Sequence, residues 1–302
     1  MPELPEVEVV RAGIAPAVTG ARVASVRVFD ERSLRRHAGP SEDFIDRLVG
    51  RELMAPVRRG KYLWIPLASG ASQSAGDGPV RSGHALVIHL GMSGQVLLRD
   101  PETDDPRTRI RIELEHPTHG ALRLNFVDQR IFGSMAIDDL VTSVDREDQV
   151  VPAKVAHIAR DPLDEYFDDA AFLKRLAKKN TTIKRALLDQ SLISGIGNIY
   201  ADESLWGARV HYDHPTASLS RPRAKLLLHE VRAVFAEALA EGGTSFDAQY
   251  LNVNGESGYF AHSLKAYGQQ GRPCPRCGRE IVREQFMNRG SHFCPRCQRR
   301  PR

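Results

Sequence analysis

TRIRIELEH (residues 108–116) puts Ile110, Ile112 and Leu114 on one side of an extended chain and Arg109, Arg111, Glu113 and Glu115 on the other. A period of two is the pattern of a strand buried on one face. Segments of the same kind recur before and after it: ARVASVRVF (21–29), KYLWIPL (61–67), HALVIHL (84–90), GQVLLRD (94–100) and ALRLNFVD (121–128). All are short, β-branched or alternating, and separated by turns. From about residue 21 to 138 this predicts an antiparallel β-sandwich. ASGASQSAGDGPVRSG (68–83) is small and polar between two strands and reads as a long hairpin loop without an assigned function.

The period changes on either side. Residues 3–18 carry Val7, Val10, Ile14 and Val18 at helical spacing. After residue 150, DDAAFLKRLAKK (168–179), TTIKRALLDQSLI (181–193) and NIYADESLWGARV (198–210) read as helices, with Thr181 or Thr182 as an N-cap. RPRAKLLLHEVRAVFAEALAEGG (221–243) is amphipathic, with Leu227, Val231, Val234, Phe235 and Leu239 on its apolar face and Gly242 at its end. Residues 244–265 are a long polar connection, the kind of loop that often carries function.

Composition narrows the class. Of 302 residues, 41% are hydrophobic and 26% charged, which excludes a disordered chain. No apolar run reaches membrane-spanning length, and the N-terminus is acidic where a signal peptide would be basic. A soluble intracellular protein without a membrane partner is expected. Residues 265–302 carry ten Lys/Arg against two Glu, whereas the remainder is net acidic. A basic module on a mildly acidic body suits a polyanionic partner, a solvated tail being the plain alternative.

All four cysteines lie in the basic module: Cys274, Cys277, Cys294 and Cys297. Two C-x2-C pairs in an otherwise cysteine-free chain read as four thiolate ligands to one structural zinc ion. The intervening GREIVREQFMNRGSHF (278–293) predicts a β-hairpin that closes the site. His292 is a substitute ligand only if a cysteine is not used.

MPELPEVEVV (1–10) has two readings. Prolines and acids suit the first turn of a helix. Pro2 also becomes a secondary amine beside Glu3 once Met1 is removed.

Seven stretches, in order, decide between them: PELPEVE (2–8), RRGKYL (58–63), HLGMSG (89–94), DQRIFG (128–133), LLDQSLISGIGNIYADE (187–203), NVNGESGYF (252–260) and FCPRCQ (293–298). Nearly end to end, the chain resembles the formamidopyrimidine-DNA glycosylases, bifunctional base-excision repair enzymes. The resemblance implies an α+β fold: an N-terminal helix and antiparallel β-sandwich (1–145), a helix–two-turns–helix module with a lesion loop (150–262) and a zinc-finger β-hairpin (263–302). It implies a monomer acting on double-stranded damaged DNA, in the cytoplasm or nucleoid of a bacterium.

The resemblance also implies roles. Pro2 is the nucleophile and Glu3 the general acid/base. Glu6, three residues on, orients or protonates the sugar, or serves only as first-turn charge. Lys61 serves elimination and contacts phosphate; Arg58 and Arg59 are left unassigned. Met92, Arg130 and Phe132 fill the gap left by a flipped base, and Gly91, Gly94 and Gly133 suggest turn tips around them. Gly195, Gly197 and Asn198 lead a helix whose free N–H groups would receive phosphate, with Asn198 a contact. Lys179 and Arg111 fall near further DNA-binding positions, and the family usually has a histidine at the latter. Arg289, at the hairpin tip, holds phosphate beside the lesion. TSFDAQY (244–250) corresponds to the loop over the flipped base.

Two rival readings remain at this stage: an endonuclease VIII-like enzyme for oxidised pyrimidines, and a non-catalytic zinc and helix–turn–helix binder of DNA. PELPEVE with Met92, Arg130 and Phe132 favours the oxidised-purine enzyme.

Overall fold

The computed structural model describes residues 2–69, 81–244 and 259–301. Most of the polar loop after residue 68, TSFDAQY apart from Thr244, and most of NVNGESGYF lie outside the described residues. The chain divides into two units. Pro2 and residues 6–157 form the first; residues 3–5, 158–244 and 259–301 form the second.

Most of α1 (Leu4–Val18) belongs to the first unit, with β1 (Arg22–Val28), α2 (Ser41–Leu48), β2 (Val57–Arg59), β3 (Tyr62–Ala68), β4 (Arg81–His89), β5 (Gly94–Arg99), β6 (Thr108–His116), β7 (Gly120–Asp128), β8 (Ser134–Ser143) and β9 (Arg146–Pro152). Two sheets form, of order β1-β6-β7-β5 and β2-β3-β4-β8-β9, every pairing antiparallel. Ile110, Ile112 and Phe126 of one sheet share a single apolar cluster with Leu63, Ile88 and Met135 of the other, so the expected sandwich is present. Val7, Val10, Ile14 and Val18 of α1 join that cluster, as their spacing predicts. The sequence reading did not resolve α2, β8 or β9. Phe44 and Leu48, four residues apart, are the buried stripe of α2.

The second unit contains α3 (Asp169–Lys178), α4 (Ile183–Leu188), α5 (Asn198–Gly207), α6 (Arg221–Ala240) and the hairpin β10 (Val282–Phe286)–β11 (Arg289–Phe293). Its core centres on Tyr200, whose ring meets Phe235 edge-on at 5.2 Å and stacks on Phe260 at 5.8 Å. Leu227, Val231 and Phe235 form the buried face of α6, and Gly242 and Gly243 end it at positive φ. α4 is shorter than TTIKRALLDQSLI predicts. The Asp189 side chain accepts from both the backbone N–H and the hydroxyl of Ser191, which turns the chain out of the helix. Thr182 occupies the N-cap position but makes no capping bond; the Ile183 and Lys184 N–H groups reach the His214 and Tyr212 carbonyls, at 2.8 and 3.2 Å.

Candidate functional site

In the first unit, Pro2 and Glu6 are buried. Gly60 and Lys61 form the two-residue turn between β2 and β3, where Arg59 pairs with Tyr62 and Gly60 has φ +56°. Arg58 ties this turn to α1. It donates to the Glu8 carboxylate at 2.9 Å and to the Gly60 carbonyl at 3.1 Å, and Arg11 closes on Glu8 at 2.6 Å. Burial opposes ionisation of Glu8, but the two guanidiniums hold its carboxyl below the usual range. Arg59 is buried against the Ser143 hydroxyl. Both arginines are therefore scaffold for Lys61.

Met92 and Phe132 are exposed at 46% and 45%, which removes them from the core. Met92 stands in the turn between β4 and β5; Arg130 and Phe132 stand in the loop between β7 and β8. One buried carboxylate organises both segments. Asp128 accepts the Arg130, Ile131 and Gly133 N–H groups at 3.1, 3.0 and 2.7 Å, and the Ser93 hydroxyl at 2.6 Å. Arg35 donates to the Ile131 carbonyl at 2.5 Å and also to the Phe132 carbonyl. Gly91 has φ +65°, and a Cβ there would lie 2.3 Å from the Phe132 backbone, so only glycine lets the segments approach this closely. Ile131 is held at φ +56°, a strained setting for a β-branched residue.

His89 sits beneath the Met92 turn. Its Nδ1 accepts the Gly91 N–H at 3.1 Å and its ring packs against Tyr62. Burial, with Arg36, Lys61 and Arg35 nearby, pushes its pKa down to about 3 and keeps it neutral. Arg111 does not join the exposed trio. It pairs with Asn125 inside the sheet, its guanidinium bonds Asp104, and it lies 5.2 Å over the Phe29 ring.

In the second unit, Glu3 caps α5. Its carboxylate accepts the Gly197, Ile199 and Tyr200 N–H groups at 2.5, 3.0 and 3.4 Å. A Cβ on Gly197 would lie 2.3 Å from that carboxyl group, and one on Gly195 would strike Leu4. This corrects the reading of SGIGN as an open phosphate cradle. Glu3 takes the N–H groups of the N-cap Gly197 and of Ile199 and Tyr200 in the first turn of α5, and the glycines make room for residues 3 and 4. Lys179 is likewise engaged, by Asp189 at 2.5 Å.

Asn198 donates to the Gly290 carbonyl at 3.1 Å, one residue from Arg289. Met287 and Asn288 form the hairpin turn, and Arg289, half-buried, opens β11. A buried network supports this end of the hairpin. Lys184 of α4 meets Asp202 of α5 at 2.6 Å and also donates to the Gly290 carbonyl and the Ser291 hydroxyl; Asp202 in turn accepts the His292 N–H. Burial pushes Lys184 below the usual lysine range against the pull of Asp202. His292 turns its Nδ1 to Asp202 at 3.1 Å and is not one of the four sulfur ligands.

The Cys274, Cys277, Cys294 and Cys297 sulfurs all lie within 4.8 Å of one another. A tetrahedral zinc with Zn–S bonds near 2.3 Å needs sulfurs about 3.8 Å apart, so the set fits. The Trp206 indole N–H, from the end of α5, donates to the Cys274 sulfur at 3.4 Å. Burial raises the Cys274 thiol, but Trp206 and nearby backbone N–H groups outweigh it and bring the pKa down to about 7.

Three family models match the chain. They describe the formamidopyrimidine-DNA glycosylase N-terminal domain over residues 1–135, that enzyme's H2TH domain over 158–249, and the zinc finger found in FPG and IleRS over 271–300. A formamidopyrimidine-DNA glycosylase of Leifsonia xyli is 62% identical, the alignment covering 99% of this chain and all of the relative. The chain belongs to the formamidopyrimidine-DNA glycosylase family. Solved structures agree. A Lactococcus lactis FPG mutant bound to Fapy-dG DNA matches at 28% identity and a TM-score of 0.81, and the wild-type enzyme bound to DNA with an oxidised pyrimidine matches at 30% and 0.81. Each match covers 99% of this chain and all of the other.

As a formamidopyrimidine-DNA glycosylase family member, the chain is a base-excision repair enzyme for oxidised purines that carries one structural zinc ion. Among the described residues no helix is long and apolar enough to cross a membrane. Sequence reasoning assigned no role to Asp128, Ser93, Lys184, Asp202 or Trp206. The available signals were charged residues inside apolar helical stretches and an aspartate opening DQRIFG.

Proposed function

We propose that the chain excises 8-oxoguanine and formamidopyrimidines from double-stranded DNA and then cuts the strand through a covalent intermediate on Pro2. Met1 is removed first. The Pro2 nitrogen forms a bond to C1′ while the glycosidic bond breaks and the base leaves with a proton. The C1′–O4′ bond then opens to an iminium ion. That ion acidifies C2′–H, so loss of the C2′ proton expels the 3′ phosphate; loss of the C4′ proton then expels the 5′ phosphate. Glu3 is the general acid/base, and three N–H donors fix the orientation of its carboxylate. Glu6 orients the sugar. Lys61 serves the elimination, and Arg289 and Asn198 hold phosphate.

The observation that carries the reading is the pair of exposed side chains, Met92 and Phe132, on segments held by one carboxylate, with Arg130 in the same loop as Phe132. A flipped base leaves a stacking gap that apolar wedges fill, and Arg130 can hydrogen-bond the orphaned cytosine. Lys179 and Arg111 are weaker phosphate contacts, each already engaged by a carboxylate. Residues 1–145 act as the catalytic domain, 150–262 as the helix–two-turns–helix module and 263–302 as the zinc finger. The enzyme works as a monomer at the bacterial nucleoid.

The test is excision of 8-oxoguanine opposite cytosine against thymine glycol opposite adenine. Faster release of 8-oxoguanine is expected. The Lactococcus lactis complex with DNA containing an oxidised pyrimidine supports binding of such bases as a second reading. Preferential release of thymine glycol would overturn the assignment.

A further inference from the structure

Within the second unit, α3, the turn at Thr216–Ser218 and the start of α6 enclose a groove in two lobes. The first, about 430 Å³, is floored by Leu173, Leu176, Leu219 and Ala224, with Ala170 and Ala177 on its α3 side. The second, about 370 Å³, shares Leu173 and Arg221 with the first and continues past Lys225, His229 and Arg232. Lys174 and Arg221 stand on the rim of the first lobe. An apolar slot thus runs directly into a cationic one.

One carboxylate faces five basic side chains, Lys174, Arg221, Lys225, His229 and Arg232. Among the described residues the only carboxylate lining either lobe is Asp169, which is bound to Arg232 at 2.6 Å and also feels the charge of Lys225. Lys174, Arg221 and Lys225 form no ion pair with any described residue, and all three are exposed. None of them belongs to the catalytic or DNA-contact residues assigned above.

We propose that this groove docks an acidic segment of a partner protein that presents a bulky apolar side chain. The apolar side chain enters the first lobe, and neighbouring carboxylates meet Arg221, Lys225 and Lys174. Charge complementarity selects an acidic occupant, and the floor selects an apolar anchor. Nucleic acid fits less well. The lining holds no Phe, Tyr or Trp for base stacking, and the aliphatic floor of the first lobe would be left uncovered by a phosphate backbone bound to its cationic rim. The chain's own C-terminal stretch, QRRPR (298–302), is excluded by its sign.

The test uses the full-length, zinc-loaded enzyme and a fluorescein-labelled peptide, Asp-Glu-Asp-Glu-Asp-Asp-Leu-Phe, read by fluorescence anisotropy. Saturable binding is expected. Replacing Leu-Phe by Ser-Ser, or combining Lys174→Glu with Lys225→Glu, should each weaken it at least about tenfold. Ala177→Gln, an exposed change that fills the first lobe, should do the same without disturbing the fold. Cleavage of 8-oxoguanine DNA by both protein variants should stay at the unsubstituted level. No saturation up to about 1 mM peptide would overturn the proposal. So would equal affinity for the Ser-Ser peptide, displacement by undamaged duplex, or loss of DNA cleavage in the charge-reversed variant. A charge-dependent dimer in sedimentation, blocking the peptide, would reassign the groove to a second copy.

Discussion

Ser93 donates its hydroxyl to Asp128 at 2.6 Å, and through that bond the Met92 turn and the Arg130–Phe132 loop share one buried anchor. Asp128 is fully buried and serves four donors at once. Its bonds set the backbone from which two exposed apolar side chains project.

Replacing Asp128 by Ala should cost about 3 kcal/mol, because four donors, one buried and three part-buried, lose their acceptor. Ser93→Ala removes the bond to Asp128 and the longer one that Ser93 accepts from the Arg130 N–H at 3.3 Å, and should cost about 1 kcal/mol. Urea denaturation measures both. Ser93→Ala should also weaken binding to abasic-site DNA with little change in melting temperature. Equal binding by Ser93→Ala and the unsubstituted enzyme would show that the link between the segments does not matter for DNA.

His89 makes the first unit acid-sensitive. Its folded pKa of about 3 lies below the ordinary 6.5, so between those values the unfolded chain holds a proton that the folded one does not. Its contribution is complete above about pH 6.5 and falls as pH drops towards 3, by up to about 1.4 kcal/mol per pH unit. His89→Asn keeps an acceptor for the Gly91 N–H and cannot titrate. Stability measured at pH 7 and pH 4.5 should fall less in this variant than in the unsubstituted protein; equal losses would contradict the assignment.

Gly197 leaves room for the Glu3 carboxylate, and no side chain fits there. Gly197→Ala should destabilise by about 1–3 kcal/mol, since both the helix end and the carboxylate are backed by packed atoms. DNA cleavage should fall further than the folded fraction does. An active, fully stable Gly197→Ala enzyme would mean that Glu3 need not cap α5.

Trp206 supports the zinc site from outside its ligand set. Trp206→Phe removes the N–H donor to Cys274 and should speed zinc transfer to a chromogenic chelator about tenfold. In the cobalt-substituted protein, the sulfur-to-metal charge-transfer band should shift as well. An unchanged release rate and an unchanged band would reduce Trp206 to packing.

Much of this was legible in the chain. Alternation exposed most strands of the sandwich, and two C-x2-C pairs exposed the metal site, because both signals are local. α2 escaped because it is only eight residues long and mostly polar. Glu3 read as an acid at the start of its own helix, whereas the helix it caps begins almost two hundred residues later, and no local pattern carries that pairing. SGIGN misled for the same reason: its glycines admit residues from the N-terminus. Asp128 stood in the sequence as the last residue of the strand ALRLNFVD, and its importance appears only when Ser93, distant in sequence, is brought beside it.

The covalent chemistry of Pro2 is tested most directly by borohydride trapping on 8-oxoguanine duplex, followed by peptide mapping of the adduct. Protein freed of Met1 should give a stable complex in which the DNA remnant sits on Pro2, and protein retaining Met1 should give none. An adduct on Lys61, or efficient trapping with Met1 in place, would contradict the account.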